Sequence, residues 1–266
     1  IDLDGASMVI QQLRPDGPPA GQVIDAPTVF SAKARDIGQV FGVTLDDAPV
    51  PNIYVSATSA YGLDIVVPGS DGEPIRSRVG ATNATFMPGQ WGTAGGAQGG
   101  PGSIWKIDGS TGAISLFATI PGNSGAGLGD IFGDPITAQF FVSDLDSGLI
   151  YRIGLDGQVI DSFDHGVTAR PAHGLAAVAD DGSEIDITNP SFNSENPATW
   201  GFTPTARRVY GLAVHGGRLY YAAAEGPEIW SVGINADGSF AGDARWELDV
   251  AGLPSSSKIS NIVFDP

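Results

Sequence analysis

Apolar and polar positions alternate in short bursts along this chain. In IYRIGLDGQVIDSF, residues 150–163, Ile150 and Ile153 carry bulk, Asp156-Gly157 turns the chain, and Val159, Ile160 and Phe163 resume the apolar run. Asp-Gly between β-formers is a strong short-range hairpin signal, so the stretch predicts two strands and a tight turn. Nearly the same phrase recurs as IWKIDGSTGAISLF at 104–117 and as IWSVGINADGSFAGDARWEL at 229–248.

Two of these copies have a matching partner upstream. LGDIFGDPITAQFFVSDLDSGLIYRI (128–153) reads strand, turn, strand, turn, strand, and VYGLAVHGGRLYYAAAEGPEIWSV (209–232) repeats the order. An earlier copy opens at IGQVFGVTLDDAPVPNIYVSATSAYGL (37–63), and a fourth begins with ISNIVFD at 259–265. Each unit has a first strand rich in small residues, an aromatic second strand, a third of the form Ile-aromatic-x-Ile/Val, and a fourth. Four-stranded antiparallel units repeating in sequence predict an all-β fold, a β-propeller of the six-bladed type. A β-sandwich also uses short strands and turns but does not explain three copies of one strand order. Three units and an opening strand do not close a ring of six. Either residues 1–266 are part of a longer propeller, the favoured reading, or four swollen blades close with ISNIVFD pairing to MVIQQL and TVF near the N-terminus.

Two long interruptions break the repeat. Residues 64–103 are Gly-rich and residues 165–207 are rich in Pro, Asn and Ser. Loops of that length within a compact domain are usually functional or flexible. Each carries a tryptophan, Trp91 and Trp200, which are either platforms for a ligand or pins holding the loop to the body. The second also carries His165, Arg170 and His173, a set able to bind a ligand or relay protons. Trp105 and Trp230 share the third-strand position of Tyr151 and are expected in the packing between sheets.

Charge narrows the partners. With 30 acidic and 13 basic residues the net charge is −17, which repels phosphate backbones and argues against nucleic acid. No apolar run reaches the ~18 residues of a membrane helix, so direct membrane insertion is not expected. The absence of cysteine excludes disulfides and thiolate chemistry. A Gly- and Asp-rich, Lys-poor composition points to an exported bacterial protein, secreted, periplasmic or at the cell surface. No Walker loop, G-x-S-x-G or H-E-x-x-H is present, and GTAGGAQGGPG at 92–102 lacks the Lys-Ser/Thr pair of a phosphate cradle.

SDLDSGLIYRIGLDGQ and IWKIDGSTGAISLFA resemble blades of the NHL, SMP-30/gluconolactonase and strictosidine-synthase-like propellers. The resemblance extends over about 150 residues and implies architecture more than activity, since this fold hosts lactonases, lyases, quinoprotein dehydrogenases and binding modules. In the lactonase branch, Glu, Asn and Asp from several blades hold a divalent cation in the channel. Aligning GQVFGV, GDIFGD, YGLAVH and SNIVFD places Gln39, Asp130, Gly211 and Asn261 at analogous positions. Gln39, Asp130 and Asn261 could then hold Ca²⁺, while Gly211 interrupts the ring and the family's glutamate has no clear counterpart. Such a ring is otherwise a hydrated channel. Asp144 and Asp146 in DLDSG, and Asp2 and Asp4 in DLDG, match the start of a calcium loop but lack its distal ligands, and Asx-turns are expected there. The resulting expectation is a binding or scaffolding module that takes a protein or small-molecule ligand through its insertions. The alternative is a Ca-type lactonase- or esterase-like hydrolase.

Overall fold

The computed structural model describes residues 2–12, 26–254 and 256–265. The chain opens with β1 (Ala6–Gln11) and β2 (Thr28–Lys33), paired as an antiparallel ribbon. MVIQ and TVF are therefore strands, while Leu13, which closes MVIQQL, lies outside the described residues.

Three four-stranded antiparallel meanders follow. The first begins with β3 (Val40–Leu45) and β4 (Ile53–Ala57). The first insertion then forms a small sheet of its own from β5 (Ile65–Pro68), β6 (Pro74–Ser77) and β7 (Thr85–Phe86). The first meander is completed by β8 (Ser103–Ile107) and β9 (Ile114–Thr119). The second comprises β10 (Leu128–Asp134), β11 (Gln139–Asp144), β12 (Leu149–Gly154) and β13 (Val159–Asp164). The third comprises β14 (Val209–His215), β15 (Arg218–Ala223), β16 (Glu228–Gly233) and β17 (Arg245–Asp249). In each, the strands pair in chain order, as the repeated phrase predicts. The hairpin turn between β12 and β13 carries Gly157 at φ 82, a conformation that costs glycine little.

The meanders stack face to face. Successive side chains on a strand point to opposite faces, and β11 uses both. Phe140 packs toward the first meander with Tyr54 and Ile104, and Phe141 toward the third with Leu219 and Trp230. All six residues of β11 are buried, its apolar centre Phe140-Phe141-Val142 flanked by buried Gln139, Ser143 and Asp144. Trp105 and Trp230 occupy the third-strand position shared with Tyr151, paired with Val55, Tyr221 and Val142 respectively, and both tryptophans are fully buried. The β1–β2 ribbon covers the other face of the first meander through Phe30, Ala32 and Met8.

The first strands of the meanders neighbour one another, β3 beside β10 and β10 beside β14. Each has a register shift in the same place: between Val40 and Val43, Leu128 and Ile131, and Val209 and Leu212. That common bulge aligns Gly42 with Asp130 and Gly211. Gln39 instead shares its register with Gly127, so the alignment of Gln39 with Asp130 expected from the similar phrases GQVFGV and GDIFGD does not hold. Gly42 is required by closeness alone, because a Cβ there would stand 2.5 Å from the Ile131 nitrogen and 2.7 Å from Asp130 Oδ1.

Buried serines join the meanders. Ser56 Oγ donates to the Gly129 carbonyl (2.6 Å), and Ser143, its counterpart on β11, donates to the Tyr210 carbonyl (2.7 Å). The third meander has Ala222 at that position. Residues 259–265 run beside β14: the Gly211 N–H donates to the Ile259 carbonyl, and Phe264 stacks on His215 and meets Tyr220 edge-on. They lie outside the regular ladders.

Candidate functional site

The two insertions form one layer. The Gly80 N–H donates to the Phe192 carbonyl, Ala81 to Ile187, and Ser194 back to the Arg78 carbonyl. Gly80 permits this approach, since a Cβ would lie 2.0 Å from the Asn189 oxygen. Beneath the seam, Leu63, Ile65 and Trp91 share a core with Ile185, Phe192 and Trp200.

Trp91 and Trp200 are each only 4% exposed, as pins holding the loops to the body would be. The Trp91 carbonyl accepts from Trp105 Nε1 (2.8 Å), and Trp200 Nε1 donates to the Asn193 carbonyl (2.9 Å). Burying large rings under an irregular layer is how the insertions gain a core, and it takes those rings from the surface.

His165, Arg170 and His173 are brought together against the third meander. His165 is buried, with Nδ1 3.2 Å from the Tyr221 hydroxyl and its ring edge-on to Trp230. Burial, with Arg170 and Arg207 nearby, pushes its pKa down to about 3, so the ring is neutral. His173 is exposed and stacks on Trp246, with Trp230 edge-on. Arg170 is ion-paired with Glu225 and donates to the Ala176 carbonyl. These contacts dock the start of the second insertion, and His165 Nε2 is buried without a hydrogen-bond partner.

Of the three channel candidates, Asp130 and Asn261 line a common cavity of about 450 Å³, and Gln39 does not. Asp130 is 4% exposed, and both its oxygens accept backbone N–H groups, Oδ1 from Ile131 and Oδ2 from Leu212, each at 2.9 Å. Desolvation nevertheless raises its pKa to about 7. Asn261 is exposed beside Gly211. Gln39 Nε2 donates to the Gly62 carbonyl (3.1 Å) on the side of the insertions. Asp144 accepts from the Asp146 N–H and from Ser147, and Asp2 accepts from the Asp4 N–H, as Asx-turns do. Among the described residues, no three His, Asp or Glu side chains are placed to hold a metal ion.

A further opening was not legible as a motif. A cavity of about 1090 Å³ lies between the insertion layer and the ends of β3 and β14. Phe41 from β3 stands between Tyr61 (centroids 6.2 Å, stacked) and Tyr210 from β14 (6.1 Å). Tyr61 is 68% exposed, and Phe41, Tyr210 and Phe202 are half-buried. Arg208 lies over the Phe202 ring at 4.7 Å and donates to the Thr203 carbonyl. Lys258, whose Nζ donates to the Ala224 carbonyl, completes the wall. Partial burial and the charge of Arg208 hold its pKa below the usual lysine value. The aromatic and basic residues that meet here are scattered from 41 to 258, so no spacing reveals them.

No family model and no curated protein matches the sequence. Among solved structures, the chain is similar to one from the crystal structure of a nidogen/laminin complex (12% identity, 83% of each chain covered, TM-score 0.28). It is also similar to the computationally designed Ika8 protein (14% identity, 89% of this chain and 74% of that one, TM-score 0.30). Neither likeness is close enough to fix the fold or to inform the function. No helix among the described residues is long and apolar enough to cross a membrane.

Proposed function

We propose that the three meanders and residues 259–265 are consecutive blades of a β-propeller, and that the chain is an exported binding module whose ligand enters the cavity under the insertion layer. The propeller reading rests on the neighbouring first strands β3, β10 and β14 with their common bulge. The binding reading is carried by one observation: an opening of about 1090 Å³ walled by an aromatic group, the exposed Tyr61 with the half-buried Phe41 and Tyr210. Concave sites with apolar walls and a few convergent polar groups are the usual form of small-molecule sites. The second insertion contributes the roof of the cleft, Trp200 among its lining, and the first insertion supports it from beneath through the shared core.

Saturation-transfer NMR with a panel of aromatic acids, aromatic amines, neutral aromatics and sugars tests this reading. At least one class gives a signal that Tyr61→Ala and Phe41→Ala abolish. A panel without signal, or one whose signals survive both substitutions, overturns it.

A further inference from the structure

Among the described residues, eight cationic side chains are ion-paired. Arg208 and Lys258 are not in that set, although the chain carries 30 acidic residues. They line the same cavity, where partial burial and then the charge of Arg208 lower the pKa of Lys258. The cavity's one carboxylate, Glu195, is engaged by Arg78 at 3.0 Å. Two donors there lack partners: Arg208 Nε, and Ser194 Oγ on a side chain that is almost fully buried. Like charges held together without a counter-ion, beside unmet donors, cost stability that a bound anion returns.

We infer that the ligand is an organic anion with a flat apolar body: its carboxylate or phosphate meets Arg208, Lys258 and Ser194, and its ring lies against Tyr61, Phe41 and Tyr210. The inference rests on the cleft being the binding site. The remaining surface of a −17 chain repels anions, so the cleft is where a small anion is drawn.

Isothermal titration with four naphthalene probes of one shape tests it: 2-naphthoate, 2-naphthyl phosphate, 2-naphthamide and 2-naphthylmethylammonium. A charge-assisted hydrogen bond made by the anion and not by the amide separates them by about ten- to a hundredfold. The expected result is that one or both anions bind at least tenfold tighter than the amide and weaken with salt. Arg208→Gln and Lys258→Gln each remove the anions' advantage over the amide. The carboxylate and phosphate arms tell which anion the site prefers. Equal binding of amide and anions, all lost in Tyr61→Ala, overturns the anion and keeps the cleft. Absence of binding by all four, together with a silent NMR panel, overturns both.

Discussion

Replacing Asp130 with asparagine tests the seam between the second and third meanders. Burial raises this carboxyl to about 7 from an ordinary 3.8, against the pull of two N–H donors that favour its charged form. Between those values the folded chain holds a proton that the unfolded chain has released. The contribution to stability is therefore fully present below pH 3.8 and is lost as pH rises through about 7. Each pH unit in the window is worth about 1.4 kcal/mol, so between pH 5 and pH 8 Asp130 removes about 3 kcal/mol from the unfolding free energy. Asp130→Asn abolishes the titration but turns an amide toward one of the two donors, an unmet buried group costing about 1–3 kcal/mol. The variant is thus less stable than the wild type at pH 5, and the gap closes or reverses by pH 8. Urea unfolding followed by tryptophan fluorescence at pH 5, 6, 7 and 8, at fixed ionic strength, measures the difference. Asp144, raised by burial to about 6, and His165, lowered to about 3, also tilt the absolute curves, but they cancel between wild type and variant. A difference that stays constant across the range would show that the carboxyl is solvated and the seam open.

Gly42→Ala pushes a methyl against Ile131 and Asp130 and costs about 1–3 kcal/mol; in a double-mutant cycle with Asp130→Asn the two losses are not additive, and additivity would mean that the first strands do not touch. Arg207 is buried with Asp164 at 2.9 Å, so Arg207→Met leaves a carboxylate without its partner and destabilises by about 3–5 kcal/mol in denaturant titration; a loss under ~1 kcal/mol contradicts the pairing. The His165 ring resonances keep their neutral positions from pH 8 down to pH 5, because burial and two arginines disfavour the imidazolium; a midpoint near 6 by NMR would place the ring in water.

The strand order of all three meanders was readable because the repeat is local. Asp156-Gly157 sets a turn, the Ile-aromatic-x-Ile phrase sets a buried strand, and Trp105, Tyr151 and Trp230 fell at one structural position. The register of β3 was not readable. GQVFGV and GDIFGD look alike, and matching the two phrases aligns Gln39 with Asp130, although the strand pairing puts Gly42 in that place. The insertions were recognised by their Gly, Pro and Asn content, which signals irregular backbone but not its partner. That Gly80 meets Phe192, and that Trp91 and Trp200 share a core, depends on contacts between segments with no common pattern. The cleft was missed for the same reason: Phe41 and Tyr210 read as ordinary strand aromatics until the bulges bring them to one rim.

The seam joining the insertions also imposes an order on synthesis. Gly80 leaves the ribosome well before Phe192, with the whole second meander made between them. At about 5–20 residues per second, the delay is on the order of ten seconds. During that time Ile65 and Trp91 have no Phe192 or Trp200 to cover them, and the nascent chain presents the apolar surface that chaperones grip. The mature layer's tight closure is therefore bought with a vulnerable interval during translation, and slowing elongation within residues 128–192 would lengthen that exposure.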